Sequence, residues 1–483
     1  MAHYQLFIDG ELCDAAEGET FASYNPATGE KIADIAKASK QDAVRAIEAA
    51  RKAFDEGPWP KMSGKERAAK LREIAAKIGE NAAELAELES LDGGGTIRKS
   101  QLADVPGAQA SFEWFARMAE ERPDTVELEG SPFPISQNQV RYEPIGVTTG
   151  IVPWNFPLIM ASWKIAPAIA AGNTSVLKPA TYTSITALKM AEIIAECDLP
   201  PGVVNVIAGP GGTVGEELAA NPMVDKTAFT GSTEVGRRIM QLASGTVKGC
   251  TLELGGKSAN IVLDDADLDA VVRRDVTRMC TNSGQSCNAP SRMLVPRDLL
   301  ARAAEVAADA AGSIRVGVPA DEATTVGPVV SQTQYDRIQA LIEKGIGEGA
   351  TLVAGGPGRP DGLDVGYYVR PTVFTDVTND MTIAQEEIFG PVLVMIGYDD
   401  DDDAVRIAND TRYGLSGYVS GSQDRARDIA RRIRTGNVHV NGAGPDFDAP
   451  FGGYKQSGNG REWGRLGFEE FLETKAIMGW TGR

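Results

Sequence analysis

The fold of this chain is decided by four short segments, Val147-Thr-Thr-Gly-Ile-Val152, Thr174-Ser-Val-Leu177, Val203-Val-Asn-Val-Ile207 and Lys226-Thr-Ala-Phe229. Each is short enough for a buried strand, and segments of helical periodicity separate them. This alternation is typical of a doubly wound parallel sheet. A second alternating region follows, from Ser258 to about residue 440. The sequence therefore predicts an α/β fold with doubly wound parallel sheets.

The region before these strands has helix signals. Ser39 with Asp42, and Ser63 with Glu66, have the spacing of capping boxes, in which a hydroxyl and a carboxylate bond the first free N–H groups. The first hundred residues are therefore predicted to be mostly helical. The helix that begins at Ser63 is predicted to continue to the glycines at 93–95.

Length and composition limit the classes of protein to consider. A chain of 483 residues exceeds what one core usually holds, so two or three domains are expected. The net charge of −19 argues against a nucleic-acid or acidic-membrane partner. Five cysteines without paired spacing, and a start without a signal peptide, predict reduced thiols in a cytoplasmic protein. No apolar run approaches the length of a membrane span.

A run of aspartates at Asp399–Asp403 precedes an apolar helical segment. Carboxylates complement the positive end of the helix dipole, so the run is predicted to be a solvated helix start. A cation site would need ligands from converging segments, and no metal is predicted.

The most reactive side chain is predicted at Cys287, in the polar segment Gly284-Gln-Ser-Cys287. About thirty residues earlier, Glu253 lies in Leu252-Glu-Leu-Gly-Gly-Lys257. A thiolate is the best side-chain nucleophile near neutral pH, and a carboxylate can deprotonate water in a later step. The chain has only two histidines, so the thiol needs another source of activation. Context alone leaves a catalytic and a packing role for Cys287 equally open.

Two glycine-containing turns could bind a pyrophosphate on backbone N–H groups. Gly209–Gly215 keeps the first two glycines of a dinucleotide fingerprint and misplaces the third, and Phe229–Gly236 is a second strand-to-helix turn. Each alone is weak evidence, because glycine turns between strands and helices are common.

Together these segments resemble the aldehyde dehydrogenase superfamily, of the NAD(P)-dependent, non-phosphorylating kind, over nearly the full length. The resemblance rests on motifs in this order: Pro153-Trp-Asn-Phe-Pro157, Leu177-Lys-Pro-Ala180, Phe229–Gly236, Leu252–Lys257, Gly284–Cys287, Glu387-Ile-Phe-Gly-Pro391 and Pro450–Gly458. It implies two Rossmann-like domains and a small β extension for oligomerisation. The implied division is 1–122 with 145–255 for NAD(P) binding, 256–455 for catalysis, and 123–144 with 470–483 for assembly.

The resemblance implies aldehyde oxidation to the carboxylic acid. Cys287 would attack the carbonyl, Asn155 would donate to the oxyanion, and hydride would leave for the nicotinamide. Glu253 would then activate the water that hydrolyses the thioester. The positions implied to bind the cofactor are Ile151, Val152, Pro153, Trp154, Lys178, Thr181, Gly211, Phe229, Gly231, Ser232, Val235, Leu254, Gly255, Glu387 and Phe389.

The aldehyde tunnel implied by family position is largely apolar. Its residues would be Trp114, Phe156, Met160, Trp163, Ser286, Asn288, Phe447 and Phe451. This lining suits aliphatic, aromatic or terpenoid aldehydes. Asp446 and Asp448 could admit a cationic substrate or could simply be solvated.

Two positions depart from the family pattern. Thr181 stands where many strictly NAD-linked members have a glutamate that repels a 2′-phosphate, so NAD is expected as the cofactor with NADP also accepted. Arg465 stands where relatives often have a carboxylate proposed as a proton relay, which puts that relay in doubt.

Three other functions compete with hydrolytic oxidation. CoA-acylating relatives usually lack the glutamate at Glu253. A cysteine peptidase would need His439 near Cys287. A catalytically silent relative is disfavoured because Cys287, Glu253 and Asn155 are all present.

The family also implies a homodimer or a dimer of dimers. Val126–Pro144, with extended segments around Gly130-Ser-Pro-Phe-Pro, and Glu473–Trp480 match the pairing segments, and the apolar end of the chain suits an exposed edge. Folding of this tail onto its own subunit is the alternative.

Overall fold

The computed structural model describes residues 2–128 and 138–480. In chain order its strands are β1 (Ala2–Tyr4), β2 (Leu6–Ile8), β3 (Glu11–Cys13), β4 (Thr20–Tyr24), β5 (Lys31–Ala36), β6 (Thr125–Leu128), β7 (Asn138–Pro144), β8 (Val147–Ile151), β9 (Thr174–Lys178), β10 (Val204–Val206), β11 (Lys226–Thr230), β12 (Gly249–Glu253), β13 (Ala259–Val262), β14 (Arg292–Pro296), β15 (Thr351–Ala354), β16 (Thr372–Thr375), β17 (Val392–Tyr398), β18 (Ser416–Ser420), β19 (Asn437–Val440), β20 (Gly458–Asn459) and β21 (Leu472–Ile477).

Helices connect most of these strands. They are α1 (Lys40–Asp55), α2 (Gly64–Glu80), α3 (Ala82–Gly93), α4 (Ile97–Lys99), α5 (Val105–Glu121), α6 (Pro157–Ala170), α7 (Ile185–Ala195), α8 (Glu216–Ala220), α9 (Thr233–Ala243), α10 (Leu268–Cys280), α11 (Leu300–Ser313), α12 (Gln332–Gly347), α13 (Thr382–Gln385), α14 (Asp401–Asn409), α15 (Gln423–Arg432) and α16 (Gly464–Glu469). Among the described residues, no helix has the length and apolar character needed to cross a membrane.

The first large sheet has the order β20-β12-β11-β8-β9-β10-β2-β3. Its five adjacent strands β12, β11, β8, β9 and β10 pair in parallel, as the four segments predict. Of these five, β8 comes first in the chain and lies in the middle. The chain then adds β9 and β10 on one side of β8, and β11 and β12 on the other. A crevice therefore forms at the carboxyl ends of β8 and β11, where this order reverses.

The second large sheet has the order β15-β16-β17-β14-β13-β18-β19, and every pair except β15 with β16 is parallel. Strands β13, β14 and β17 are fully buried because helices cover both faces of the sheet. The predicted α/β class with two parallel sheets is confirmed. The aspartate run begins a helix, as predicted: Asp400 caps α14 by accepting from the N–H of Asp403.

Two predictions about the first hundred residues are wrong. Strands β1 to β5 occupy residues 2–36, and β2 pairs with β10, far along the chain. The long helix predicted from Ser63 is two helices, because the chain turns at Asn81. Both capping boxes are present, and the predicted stop is confirmed at Gly94, whose left-handed φ of 76° closes α3.

A third, small sheet of order β21-β7-β6 is antiparallel, and the tail strand β21 pairs with β7 of its own chain. In this structure the tail therefore lies on its own subunit, which is the alternative to pairing of these two segments across subunits. Apolar side chains are exposed in β6, where Leu128 is 49% exposed, and just after β21, where Met478 is 69% and Trp480 46% exposed. The extended segment predicted around Gly130-Ser-Pro-Phe-Pro lies outside the described residues. The domain boundaries implied by the resemblance stay a prediction.

Candidate active site

Cys287 follows a strained turn at the end of α10. Asn282, Ser283 and Gly284 have consecutive positive φ values of 54°, 57° and 71°. Such strain persists only where surrounding contacts hold it. Here Ser283 donates to Gly327 O over 2.8 Å, and a side chain on Gly284 would collide with Gly390 O. The turn thereby presents a half-buried thiol rather than a packed one.

Asn155 is bonded to this same turn. Its side-chain Nδ2 donates to Gln285 O over 2.9 Å, and its carbonyl accepts from Asn282 Nδ2 over 2.7 Å. The segment after β8 is therefore fixed against the loop that carries Cys287. An amide NH₂ group has two donors, so one N–H of Asn155 satisfies Gln285 and the second is available to an oxyanion.

Glu253 is the last residue of β12 and is 2% exposed. Neither carboxylate oxygen accepts a hydrogen bond from the described residues. Burial raises its pKa well above the usual value, while Lys164 and Arg461 oppose this. A buried carboxylate without a partner is costly in a structural role, so the arrangement is typical of a functional acid or base.

A buried ion pair between Lys164 and Glu462 lies beside this carboxylate. Burial lowers the pKa of Lys164 to about 7, and the Glu253 charge opposes that shift. Arg465, the position where the sequence puts a relay in doubt, is on the surface and donates to Glu469. The buried carboxylate of this segment is Glu462, three positions before Arg465.

Burial also raises the pKa of the Cys287 thiol to about 12, with further increases from Glu387 and Glu253 and opposition from backbone N–H donors. The thiol of the free protein is therefore protonated near neutral pH. Gly256 packs so closely on the Cys287 carbonyl that a side chain there would collide with it. The turn after Glu253 thus contacts the cysteine loop directly.

The predicted cofactor positions gather at the carboxyl ends of the strands. Ile151 and Lys178 end β8 and β9, and Phe229 lies in β11. Lys178 is buried, donates to Pro179 O over 2.8 Å, and has a pKa lowered by burial to about 8. Ser232 caps α9 by accepting from the Val235 N–H. The remaining positions near these ends are Val152, Pro153, Trp154, Thr181, Gly211, Gly231, Val235, Leu254 and Gly255.

Glu387 and Phe389 border the other end of this crevice. Glu387 accepts from the Gly256 N–H over 2.9 Å, and burial raises its pKa to about 7. Its carboxylate leaves no room for a side chain at Gly255. The ring of Phe389 packs edge-on against Trp154 at 5.2 Å.

Several predicted tunnel residues form one aromatic cluster. Trp163 lies 6.0 Å from Phe451, and both contact Trp463, which also lies 4.9 Å from Phe447. The sequence does not predict Trp463 as a tunnel residue. The structure shows that its backbone is strained, with a φ of 59°. Two of these rings are next in sequence to residues near Glu253: Trp163 precedes Lys164, and Phe451 precedes Gly452.

The other tunnel candidates are more scattered. Ser286 donates to Asn288 Oδ1 over 2.7 Å, beside the thiol, and Met160 is buried in α6. Trp114 donates to Asp448 over 2.7 Å, and Phe156 packs under the Lys99 ammonium.

His439, the histidine that a peptidase mechanism would need, stacks on the Tyr418 ring at 4.9 Å and bonds Ala443 O. Tyr418 lies between His439 and the cysteine loop, and its hydroxyl donates to Asn288 O. The geometry gives no support to a cysteine–histidine pair.

A pH experiment tests the surroundings of Glu253. The Lys164 charge holds its pKa down, so Lys164→Met is expected to raise that pKa further. A base works only when deprotonated, so the rising limb of the kcat profile should move to higher pH. The measurement is kcat at saturating substrates across the pH range.

The matched control is Lys164→Met with Glu462→Gln, which removes both charges of the pair and leaves none buried alone. Its alkaline shift should be no larger than that of Lys164→Met alone, because loss of the Glu462 negative charge acts in the opposite direction. A Lys164→Met profile that coincides with that of the wild type would contradict an electrostatic role of Lys164 on Glu253.

A doubly wound dinucleotide crevice facing a cysteine and a buried carboxylate defines a dehydrogenase of the cysteine-dependent class. Comparison with known proteins agrees: a profile of the aldehyde dehydrogenase family matches residues 13–477. The chain belongs to the aldehyde dehydrogenase family.

Named relatives cover almost the whole chain. It is 46% identical to a 3-succinoylsemialdehyde-pyridine dehydrogenase of a Pseudomonas species, over 99% of both chains. It is 43% identical to a betaine aldehyde dehydrogenase of Bacillus subtilis, over 98% of this chain and 96% of that protein. A solved structure of a mutant of aldehyde dehydrogenase C from Pseudomonas syringae, in complex with NAD+ and octanal, is 45% identical with a TM-score of 0.95 over 99% of this chain and 96% of that one.

Proposed function

We propose that this protein oxidises an aldehyde to the carboxylic acid with NAD+ as hydride acceptor, using Cys287 as nucleophile, Asn155 as oxyanion donor and Glu253 as base. The observation that carries the proposal is the buried Glu253 carboxylate without a partner among the described residues, beside a cysteine loop that Asn155 holds through two hydrogen bonds.

The crevice residues fit a dinucleotide. A side chain at Gly211 or Gly212 would meet nothing within 4 Å, which leaves open space beside the crevice. Gly215 lies against Lys178 and Ile151, so the turn after β10 packs on the ends of β8 and β9. Lys178 at one end and Glu387 at the other provide polar groups suited to ribose hydroxyls.

In the first step, the Cys287 thiol releases its proton to solvent water, the sulfur adds to the carbonyl carbon, and the carbonyl oxygen becomes an oxyanion. Asn155 donates to that oxygen as its charge develops, and one such donor contributes about 10²- to 10³-fold in rate. Bound NAD+ supplies the acceptor for the hydride that leaves the carbon, so that a thioester remains on Cys287.

In the second step, Glu253 takes a proton from water, and the resulting hydroxide attacks the thioester. The carboxylic acid leaves, and the proton returns to the thiol. A raised pKa suits Glu253 to this role, because it holds the transferred proton firmly. CoA acylation is disfavoured, because a thiol acceptor would need no such base.

The direct test combines the protein with NAD+ and hexanal and follows NADH absorbance. Carboxylic acid should appear in equal amount to NADH. If CoA is added and acyl-CoA forms in preference to the acid, the protein is a CoA-acylating enzyme and not a hydrolytic one. If no aldehyde gives NADH, the catalytically silent alternative is supported.

Cofactor choice is predicted from Thr181, which is half-buried after β9 and lacks a carboxylate. NAD is expected to be preferred and NADP accepted. Thr181→Glu should lower kcat/KM for NADP by about tenfold or more and change NAD use little, because the carboxylate repels the 2′-phosphate. Thr181→Gln is the uncharged control. A wild type without measurable NADP reaction would contradict this prediction.

Assembly is predicted from the small sheet of β6, β7 and β21. Its exposed apolar residues suit pairing with a second copy, so a homodimer or a dimer of dimers is expected. Light scattering should give the mass of an oligomer for the full chain and a smaller mass after truncation at Leu472. A monomeric full chain at micromolar concentration would contradict the prediction.

A further inference from the structure

Two aromatic rings assigned to the aldehyde tunnel each carry a cation of this chain. Lys99 Nζ lies 4.5 Å from the centroid of the Phe156 ring, and the Arg117 guanidinium lies 5.7 Å from that of Trp114. Aromatic rings attract cations through the negative charge of the ring face. A ring that already binds one cation attracts a second one less.

Lys99 is fixed in this position. Its side chain is 10% exposed, and Nζ donates to Asp104 Oδ2 over 2.6 Å. Asp104 is fully buried and ends a π-helical turn, Ser100–Asp104, just before α5. Such turns insert one residue into a helix and often occur at functional sites. The ammonium is therefore held against the Phe156 ring by its bond to Asp104.

Arg117 also pairs with Asp448, a carboxylate that could otherwise attract a cationic substrate. Its Nη2 donates to Asp448 Oδ1 over 2.7 Å, and Trp114 Nε1 donates to the same oxygen over 2.7 Å. The carboxylate that could have attracted a cationic substrate is thus engaged by two donors of the chain. Asp448 is thus paired with Arg117 while its side chain remains 67% exposed to solvent.

The remaining wall is apolar. The cluster of Trp163, Phe447, Phe451 and Trp463 presents rings whose only polar groups are indole N–H donors. Rings of this kind gain from contact with uncharged apolar groups through area burial.

We propose that Lys99 and Arg117 are specificity-determining residues that disfavour cationic aldehydes, so that the substrate is an aldehyde whose remaining part is uncharged and apolar. Specificity is a difference between two affinities, and repulsion of the wrong ligand contributes to it as well as attraction of the right one. This inference rests on the proposed function.

The test uses two aldehydes of nearly the same shape that differ in charge. They are 4-(trimethylammonio)butanal and 5,5-dimethylhexanal, in which a quaternary carbon replaces the nitrogen. The wild type should show a kcat/KM at least about tenfold higher for the neutral aldehyde. Lys99→Met and Arg117→Leu should each raise the ratio of cationic to neutral kcat/KM severalfold.

Two further variants separate specificity from folding and from net charge. Lys99→Met with Asp104→Asn removes both charges of the pair, so that neither is left buried without the other, and should raise the ratio as Lys99→Met does. Arg302→Leu removes an exposed arginine of α11 that pairs with Asp269, and it should leave the ratio unchanged.

The outcomes distinguish the inference from the function beneath it. No turnover of hexanal or of either test aldehyde would overturn the proposed function. Turnover of hexanal with an equal or higher kcat/KM for the cationic aldehyde would overturn only the inference. Turnover of hexanal but of neither test aldehyde would also overturn it, because the bulky end that both test aldehydes share, and not the charge, would then determine which substrate is accepted.

Discussion

Cys287→Ala is expected to abolish aldehyde oxidation, with kcat falling by at least about 1000-fold, because no other group replaces the covalent nucleophile. Cofactor binding should persist, since the side chain removed lies in the loop after α10 and the crevice is formed by the ends of β8 to β12. The measurement is NADH formation under saturating hexanal, together with NAD+ binding by calorimetry.

Cys250→Ala is the matched control, because that half-buried cysteine lies in β12, outside the strained turn. It should keep nearly all activity. A Cys287→Ala variant with activity within tenfold of the wild type would exclude Cys287 as the nucleophile.

Glu253→Gln should separate the two halves of the reaction. The amide has the same shape but cannot take a proton from water, so thioester hydrolysis should slow by about 10²- to 10⁴-fold. Hydride transfer precedes that step and should continue. Stopped-flow mixing should therefore show a burst of about one NADH per subunit, followed by a very slow steady rate.

The control is Glu343→Gln, an exposed glutamate of α12, which should show wild-type kinetics. Acylated Cys287 should be detectable by mass spectrometry in the Glu253→Gln variant alone. Wild-type rates in both phases would show that Glu253 is not the base. Loss of the burst itself would place Glu253 in the first step.

Local pattern predicted the elements whose stabilising contacts are local. The capping boxes at Ser39 and Ser63 are read from a spacing of three residues, because the bonds join groups one helical turn apart. The short strands β8, β9 and β11 are buried along almost their whole length, since a parallel sheet is covered on both sides.

Pattern failed where pairing is distant. Strands β1 to β5 are short, and β2 is stabilised by a partner about two hundred residues away, β10. The break at Asn81 gives no strong signal either, because helical periodicity continues on both sides of it.

The sequence by itself determined the class of fold, the family, and the candidates Cys287, Glu253 and Asn155, because these depend on periodicity and on ordered motifs. Only the tertiary structure decided which charged side chains lie near the site and what they contact. Lys164 pairs with Glu462, Lys99 contacts the Phe156 ring, and Arg117 pairs with Asp448. The partners in each of these contacts are far apart in the sequence. A side chain's pKa and the charge of a binding wall depend on burial and on neighbours in space, and no spacing along the chain specifies either.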